Sequence, residues 1–188
     1  MSKPEEQSKF PYMEIATAMG FIAMFCSDLE WALDSVFGFL FRLTPEESLA
    51  IGGDITAAAR VALLNKAVEI WKGKPEMKEK FISFVNEYDR LKNLRNTLVH
   101  GLWYPPKEGG KHHLLIKFKA RDKVSASIQE CSPKYLYGIA QEILDLQKEI
   151  QDFFDSNSEL PNWKTISRNA PMWAFYYSAL RDKHREQG

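Results

Sequence analysis

Long stretches of this sequence repeat apolar residues at intervals of three and four, and this spacing limits the possible folds more than any other feature. The repeat runs from about residue 12 to residue 42 and returns in three later segments. One face of an α-helix carries such a repeat, and that face must be buried against another element. The sequence therefore predicts a mainly α protein, built as an antiparallel helical bundle of four or more helices.

Turn residues and capping residues predict where the helices end. The first long helix is interrupted after residue 42, and a short piece follows that we expect Gly52 and Gly53 to end. Asp54 is then the predicted N-cap of a second helix, which reaches about Trp71. A third long helix is expected to start near Pro75.

The third helix has an apolar seam with one charged residue in it. Arg95 occupies the step between Leu91 and Leu98, so its side chain is predicted to point inward. Gly101 stands where we expect a left-handed C-cap, and the two prolines at 105 and 106 prevent continuation. The other inward positions of this seam are Met77, Phe81, Phe84 and Tyr88.

The apolar period changes after this helix. Apolar and polar residues alternate over 114–119 and 124–129, on either side of a charged turn at 121–123. This pattern predicts a β-hairpin inserted after the third long helix. Ser132 and Pro133 then begin a fourth helix that reaches about Phe154. We expect a single domain over residues 1–188, with its core at about 12–156 and an aromatic docking tail at 157–188.

Composition narrows the class of protein. Apolar residues make up 45% and charged residues 27%, which is typical of globular proteins and too apolar for disorder. Cys26 and Cys131 are too few and too distant for a disulfide framework, and we expect two reduced, buried thiols. No run of eighteen uninterrupted apolar residues occurs, and the N-terminus is polar and acidic. We therefore expect a cytoplasmic protein with no membrane segment.

The charge is unevenly distributed although the net charge is zero. Residues 60–123 hold 15 Lys and Arg against 7 Asp and Glu, whereas residues 1–59 hold 3 against 9 and residues 124–188 hold 7 against 9. The basic middle could present a positive face to a polyanion such as a nucleic acid. Alternatively, the acidic ends pack beside it and neutralise it.

Three polar residues gather at the end of the third helix. Asn96 and His100 are four residues apart and share a face, whereas Arg95 and His100 diverge by about 140°. Arginine offers paired donors to a phosphate, and histidine exchanges protons near neutral pH. The set therefore favours phosphate chemistry. The structural alternative is that basic groups in a last helical turn only complement the helix dipole and its free carbonyls.

Other candidate residues lie around this helix end. Glu30 is either an acidic partner for Arg95 or a residue at the border of the first helix's apolar stripe. Trp103 and Tyr104 could stack on an unpaired base or serve core or dimer packing. The cations flanking the motif could contact phosphates or form a solvated face, and they are Lys80, Arg90 and Lys92.

No metal or cofactor is predicted. His112 and His113 are adjacent in a loop rich in glycine and lysine, without an accompanying cluster of Cys or acidic residues. The sequence also lacks a phosphate-loop glycine pattern, a nucleophile elbow and a dinucleotide fingerprint. A classical hydrolase or nucleotide-fold enzyme therefore has little support.

The run from Leu94 to Gly101, Leu-Arg-Asn-Thr-Leu-Val-His-Gly, resembles the signature of the HEPN domains (higher eukaryotes and prokaryotes nucleotide-binding). That signature has Arg, a polar residue that is often Asn, three further residues and then His. These domains are α-helical and carry the motif late in a long core helix, so the resemblance extends over about residues 12–156. The hairpin and the aromatic tail are not part of the family's minimal core.

The resemblance implies a metal-independent endoribonuclease that acts as a homodimer, with motifs from two chains in one cleft. By this likeness Arg95 engages the scissile phosphate, His100 is the acid and base, and Asn96 orients His100 or the substrate. RNA and an antitoxin protein are the implied partners, in toxin–antitoxin, phage-defence or RNA-processing systems. Some members do not cleave RNA, so the alternative is a non-catalytic module that binds RNA, a nucleotide or another protein.

Overall fold

The computed structural model describes residues 12–106, 112–120, 124–157 and Leu160. Over these residues the chain is mainly helical, with a small three-stranded antiparallel sheet, and the predicted mainly α class is confirmed. The helices are α1 (Met13–Phe41), α2 (Pro45–Asp54), α3 (Ala57–Ile70), α4 (Pro75–His100) and α5 (Pro133–Ser156). The strands are β1 (Leu102–Tyr104), β2 (His113–Ala120) and β3 (Val124–Cys131).

Helix α1 is the centre of the packing. It contacts α2, α3, α4 and α5, and its longest interface is with α5. The seams that the spacing predicted on α1, α4 and α5 all face one hydrophobic core, where each fully buried apolar side chain stabilises the fold by about 1.5–3 kcal/mol. Side chains with no solvent exposure in this core include Ile22, Leu29, Leu33, Phe81, Phe84, Leu91, Leu136, Ile143 and Ile150.

The predicted hairpin is present, and a third strand extends it. Strands β2 and β3 pair antiparallel, with Ile116 opposite Ile128. Strand β1 pairs with β2 on the other side, where Trp103 lies opposite Leu115. The three residues of β1 are too few to show an alternating pattern in the sequence, and only pairing with β2 makes them a strand. The turn predicted at 121–123 lies outside the described residues.

Two predicted ends around α2 are wrong. Gly52 and Gly53 do not end the piece, because α2 continues through them to Asp54. The N-cap of α3 is Thr56 rather than Asp54, and its hydroxyl accepts a backbone hydrogen bond of 3.2 Å. Gly52 has a packing role instead, since a Cβ there would lie 2.2 Å from a carboxylate oxygen of Asp34.

The predicted cap at the end of α4 is also wrong. Gly101 has φ −78° and ψ 158°, an extended conformation and not a left-handed one. Glycine is needed there for space, because a Cβ would lie 2.3 Å from a methyl carbon of Leu115 and 2.9 Å from the carbonyl oxygen of Thr97. The chain leaves α4 directly into β1, and the helix end is therefore pressed against the sheet.

Helix α1 is long and apolar enough to cross a bilayer by length and composition, with 29 residues and a mean hydropathy of 1.2 in its most apolar window. A core helix of a water-soluble protein passes the same test. Here α1 buries residues along its whole length, including Ile15, Ile22, Leu29 and Val36. This property does not by itself assign α1 to a membrane, and the cytoplasmic location stays a prediction.

Candidate functional site

The predicted motif lies at the C-terminal end of α4, on and beside the seam that faces α1. Tyr88, Leu91 and Leu98 of this seam have at most 1% of their surface exposed. Arg95 sits between them and is partly buried, as its place in the seam predicts. Helical periodicity thus draws one permanent cation toward an apolar interface.

Arg95 has few partners for a guanidinium in such a place. Its Nη1 donates a hydrogen bond of 2.9 Å to the side-chain oxygen of Asn96. Its Nε is buried and has no hydrogen-bond acceptor among the described residues. Within the described part of the chain, no carboxylate lies at ion-pair distance from it. No acidic group among the described residues therefore balances the positive charge of Arg95 by direct contact.

Cys26 of α1 lies near this guanidinium. Burial raises the pKa of the Cys26 thiol, the charge of Arg95 lowers it, and the charge of Glu30 raises it again, with a net value of about 11. The thiol is therefore neutral at physiological pH and cannot serve as a counter-ion for Arg95. Cys26 and Cys131 are both free and buried, which confirms the predicted burial of the two thiols.

His100 is the last residue of α4 and is exposed. Among the described residues, no hydrogen bond, ion pair or ring contact connects it to Arg95 or Asn96. The chain therefore brings Arg95 and Asn96 together and leaves His100 apart, one helical turn beyond Asn96.

The structural alternative predicts that His100 complements the free carbonyls at the end of α4, and the hydrogen bonds at that end bear on it. The indole N–H of Trp103 donates a 2.8 Å hydrogen bond to the free carbonyl of Leu98, and the backbone N–H of Gly101 bonds the carbonyl of Thr97. His100 makes no such bond within the described chain. Trp103 rather than His100 is the side chain that satisfies a carbonyl at this helix end.

An open groove lies beside the motif, between the start of α1 and the end of α4. We call it the α1–α4 groove. It has a volume of about 460 Å³, and its surface is almost entirely apolar. Its lining residues are Tyr12, Ile15, Ala16, Met19 and Gly20 on one side and Leu98, Val99 and Trp103 on the other.

A second cluster of charges was not found in the sequence. Arg60 of α3 is 4% exposed, and its guanidinium donates hydrogen bonds of 2.8 and 3.3 Å to the carboxylate of Asp34 in α1. The same guanidinium donates to the carbonyl of Gly52 at 2.7 Å. Burial raises the pKa of Asp34 and the contact with Arg60 opposes this rise. One signal was available, since an aspartate on the apolar stripe of α1 requires a buried cation.

Glu30 belongs to this second cluster. Its carboxylate lies 3.3 Å from Nη1 of Arg60 and forms an ion pair with it, but the two groups are not aligned for a hydrogen bond. The same carboxylate accepts a hydrogen bond of 3.1 Å from the hydroxyl of Tyr88. Burial raises the pKa of Tyr88, and the charge of Glu30 raises it further. The suggested pairing of Glu30 with Arg95 is wrong, because α3 packs on α1 and brings Arg60 into an ion pair with Glu30.

The cations that flank the motif form ion pairs with acidic side chains. Lys80 and Arg90 form ion pairs with glutamates of α5, and Lys92 pairs with the aspartate one turn before it. These pairs neutralise three of the cations that the basic middle of the sequence offered. Arg95, in contrast to these three flanking cations, has no acidic contact within the described chain.

The remaining predicted candidates do not form a second site. Within the ranges that the structure describes, no three His, Cys, Asp or Glu residues gather as a metal site would require. His112 is exposed and lies 3.5 Å from Glu130, whereas His113 is 6% exposed. The aromatic tail residues lie outside the described residues, and they are Trp163, Trp173, Phe175, Tyr176 and Tyr177.

The chain was compared with models of protein families, with curated proteins and with solved structures. No family model, no curated protein and no solved structure matches it.

Proposed function

We propose that this protein is a metal-independent endoribonuclease of the HEPN type, acting in the cytoplasm as a toxin or phage-defence effector. The observation that carries the proposal is Arg95, a partly buried guanidinium with no carboxylate in contact within the described chain. A buried cation without a counter-ion destabilises a fold, and an external anion relieves that cost. A phosphate of RNA is the anion that the neighbouring Asn96 and His100 best fit.

The chemistry follows from these three side chains. The ribose 2′-hydroxyl of RNA attacks the adjacent phosphorus, forming one O–P bond while the bond to the 5′-oxygen breaks. A neutral His100 accepts the proton of the 2′-hydroxyl, and a protonated His100 supplies one to the leaving 5′-oxygen. Arg95 stabilises the charge that grows on the phosphoryl oxygens, and its contact with Asn96 holds it in place. The products carry a cyclic phosphate and a 5′-hydroxyl.

A homodimer is the proposed active form. Within one chain Arg95 and His100 point in directions about 140° apart on α4. One histidine cannot be both base and acid at opposite sides of the same phosphorus during a single step. A second copy supplies the second His100, and two motifs at the ends of two bundles then form one cleft. An antitoxin protein that covers this cleft is the proposed regulator.

A non-catalytic role is the second candidate, and one observation favours it. His100 contacts neither Arg95 nor Asn96 in the described chain, so one chain does not assemble a complete acid–base site. Arg95 with Asn96 can still bind a phosphate of RNA or of a nucleotide. In that case the protein binds without turnover.

The test is cleavage of mixed RNA by the purified full chain in EDTA. We expect the wild type to produce fragments with cyclic phosphate ends, and His100→Ala and Arg95→Gln to lose at least about a hundredfold in rate. His112→Ala is the matched control, because this exposed histidine contacts only Glu130 among the described residues. Circular dichroism and sedimentation establish that each variant is folded and equally oligomeric.

Two outcomes would overturn the enzyme proposal. One is equal cleavage by wild type and His100→Ala, which assigns the activity to a contaminant. The other is no cleavage by a folded wild type. RNA binding that survives in His100→Ala but is lost in Arg95→Gln would then support the non-catalytic candidate.

A further inference from the structure

The α1–α4 groove lies within one helical turn of the proposed catalytic residues on α4, although none of the three lines it. Leu98 lies three residues after Arg95 on the same seam of α4, and Val99 directly precedes His100. No residue that lines the groove is charged. Within one turn of α4 the surface therefore changes from a cation, an amide and an imidazole to an apolar depression.

Two aromatic rings in this depression are held by other contacts. The indole N–H of Trp103 is used by the carbonyl of Leu98 at 2.8 Å, so the apolar ring is what Trp103 offers to a ligand. Tyr12 is 38% exposed, and its ring centroid lies 5.2 Å from that of His113. Rings that are held in this way lose little conformational entropy when a ligand stacks on them.

A ribonucleotide has a charged part and an uncharged flat part, as this surface has a charged end and an apolar end. It carries an anionic phosphate and a neutral, flat, aromatic base, and proteins bind unpaired bases by stacking them on aromatic side chains. The phosphate fits Arg95, whose charge has no acidic contact within the described chain, and the base fits the uncharged groove one turn away. The charge complementarity between the two halves selects a nucleotide over an apolar peptide, which would leave Arg95 unpaired.

We propose that the α1–α4 groove binds an unpaired nucleobase of the RNA strand beside the phosphate held by Arg95. This inference rests on the proposed RNA cleavage, and it adds a substrate class: the strand must be single at this nucleotide, because a base paired in a duplex cannot enter the groove. A second copy of this chain is the competing occupant, and the test below separates the two.

Gly20 provides a variant that fills the groove without disturbing the fold. It lies inside α1 and lines the groove, and a Cβ built on it meets no atom within 4 Å. Gly20→Leu therefore occupies the groove, and replacing a helical glycine favours the helix. Gly53→Leu is the matched control, because Gly53 lies inside α2, does not line the groove and also has no atom within 4 Å of an added Cβ.

The experiment measures binding of the full chain to a short single-stranded RNA and to the same RNA with one abasic nucleotide next to the cleavage point. His100→Ala is present in all proteins so that the RNA stays intact. We expect Gly20→Leu to weaken binding of the intact RNA about tenfold, as the loss of one stacked base does. The abasic RNA should bind both proteins equally weakly, and Gly53→Leu should match the parent.

The outcomes separate the groove from the function. Equal binding of intact and abasic RNA by the parent overturns the groove assignment while RNA binding itself stands. If the parent binds neither RNA and the wild type does not cleave, the proposed function fails together with the inference. Sedimentation of each protein gives the remaining outcome: if Gly20→Leu changes the oligomeric state, the groove is a contact between copies and not a base site.

Discussion

Two arginines are drawn toward the interior of this protein, and their surroundings differ sharply. Arg60 meets Asp34, Glu30 and the carbonyl of Gly52, all within 3.3 Å. Arg95 contacts the side chain of Asn96, and its buried Nε has no acceptor in the part of the chain that the structure describes. The first arginine joins α3 to α1 through two ion pairs and to α2 through a hydrogen bond to a backbone carbonyl. The second is partly buried and lies one helical turn from an open groove.

The difference separates a structural cation from a candidate functional one. A buried ion pair contributes little net stability, but removing one partner leaves an uncompensated charge and is strongly destabilising. A cation without a partner already carries that cost, and proteins tolerate such costs mainly at sites of function. The acidic contacts of each arginine, rather than its depth, distinguish the two roles.

Neutral replacement of each arginine gives the largest expected contrast. Arg60→Met should lower the free energy of unfolding by about 3–5 kcal/mol, because Asp34 and Glu30 lose their cation. Arg95→Met should change it by less than about 1 kcal/mol and should abolish RNA cleavage. Urea denaturation measures both variants under the same conditions. Equal losses of stability would break the comparison and make Arg95 a structural residue.

The close approach of α2 to the Arg60 cluster gives a smaller effect. Gly52→Ala places a Cβ 2.2 Å from the carboxylate of Asp34, and displacing that carboxylate should cost about 1–3 kcal/mol. Gly53→Ala meets nothing within 4 Å and should be neutral or stabilise by up to about 1 kcal/mol. The melting temperature of Gly52→Ala should therefore fall, whereas that of Gly53→Ala should stay unchanged or rise. A similar shift for both would mean that helix propensity, and not the Arg60 cluster, governs this segment.

The smallest effect concerns the thiol beside Arg95. The pKa of Cys26 is raised from 9.0 to about 11, chiefly by burial, so the unfolded chain ionises first as the pH rises. The corresponding stability is complete below pH 9 and is lost progressively toward pH 11, by about 1 kcal/mol at pH 10. The free energies of unfolding of wild type and Cys26→Ala at pH 8 and pH 10 isolate the contribution of this thiol.

Removing the charge of Arg95 should act on the same thiol. The charge of Arg95 lowers the pKa of Cys26, so Arg95→Met should move the formation of the Cys26 thiolate to higher pH. The ultraviolet absorbance of the thiolate, with the matching Cys26→Ala proteins as blanks, measures this titration. An unchanged titration of Cys26 in Arg95→Met would place Arg95 too far from the thiol to act on it.

The sequence by itself determined the local features of this protein. The three-and-four spacing predicts α1, α4 and α5, because a helix repeats its faces with that period whatever it packs against. The cap at Ser132 is also local, because its hydroxyl accepts a hydrogen bond from a backbone N–H three residues away. The inward position of Arg95 follows from the helical period of α4 alone. The candidate site is therefore visible as three residues in one helix.

Only the tertiary structure decided which groups meet across helices. Arg60 and Asp34 are 26 residues apart in sequence, and nothing in the local pattern of α3 selects that partner. The glycine at 101 is explained by a side chain of β2, and the three residues of β1 become a strand only through pairing. Helical periodicity predicts what one helix buries, whereas the balance of charges depends on contacts between residues distant in sequence. In the described part of the chain these contacts pair Glu30 with Arg60 and leave Arg95 without an acidic partner.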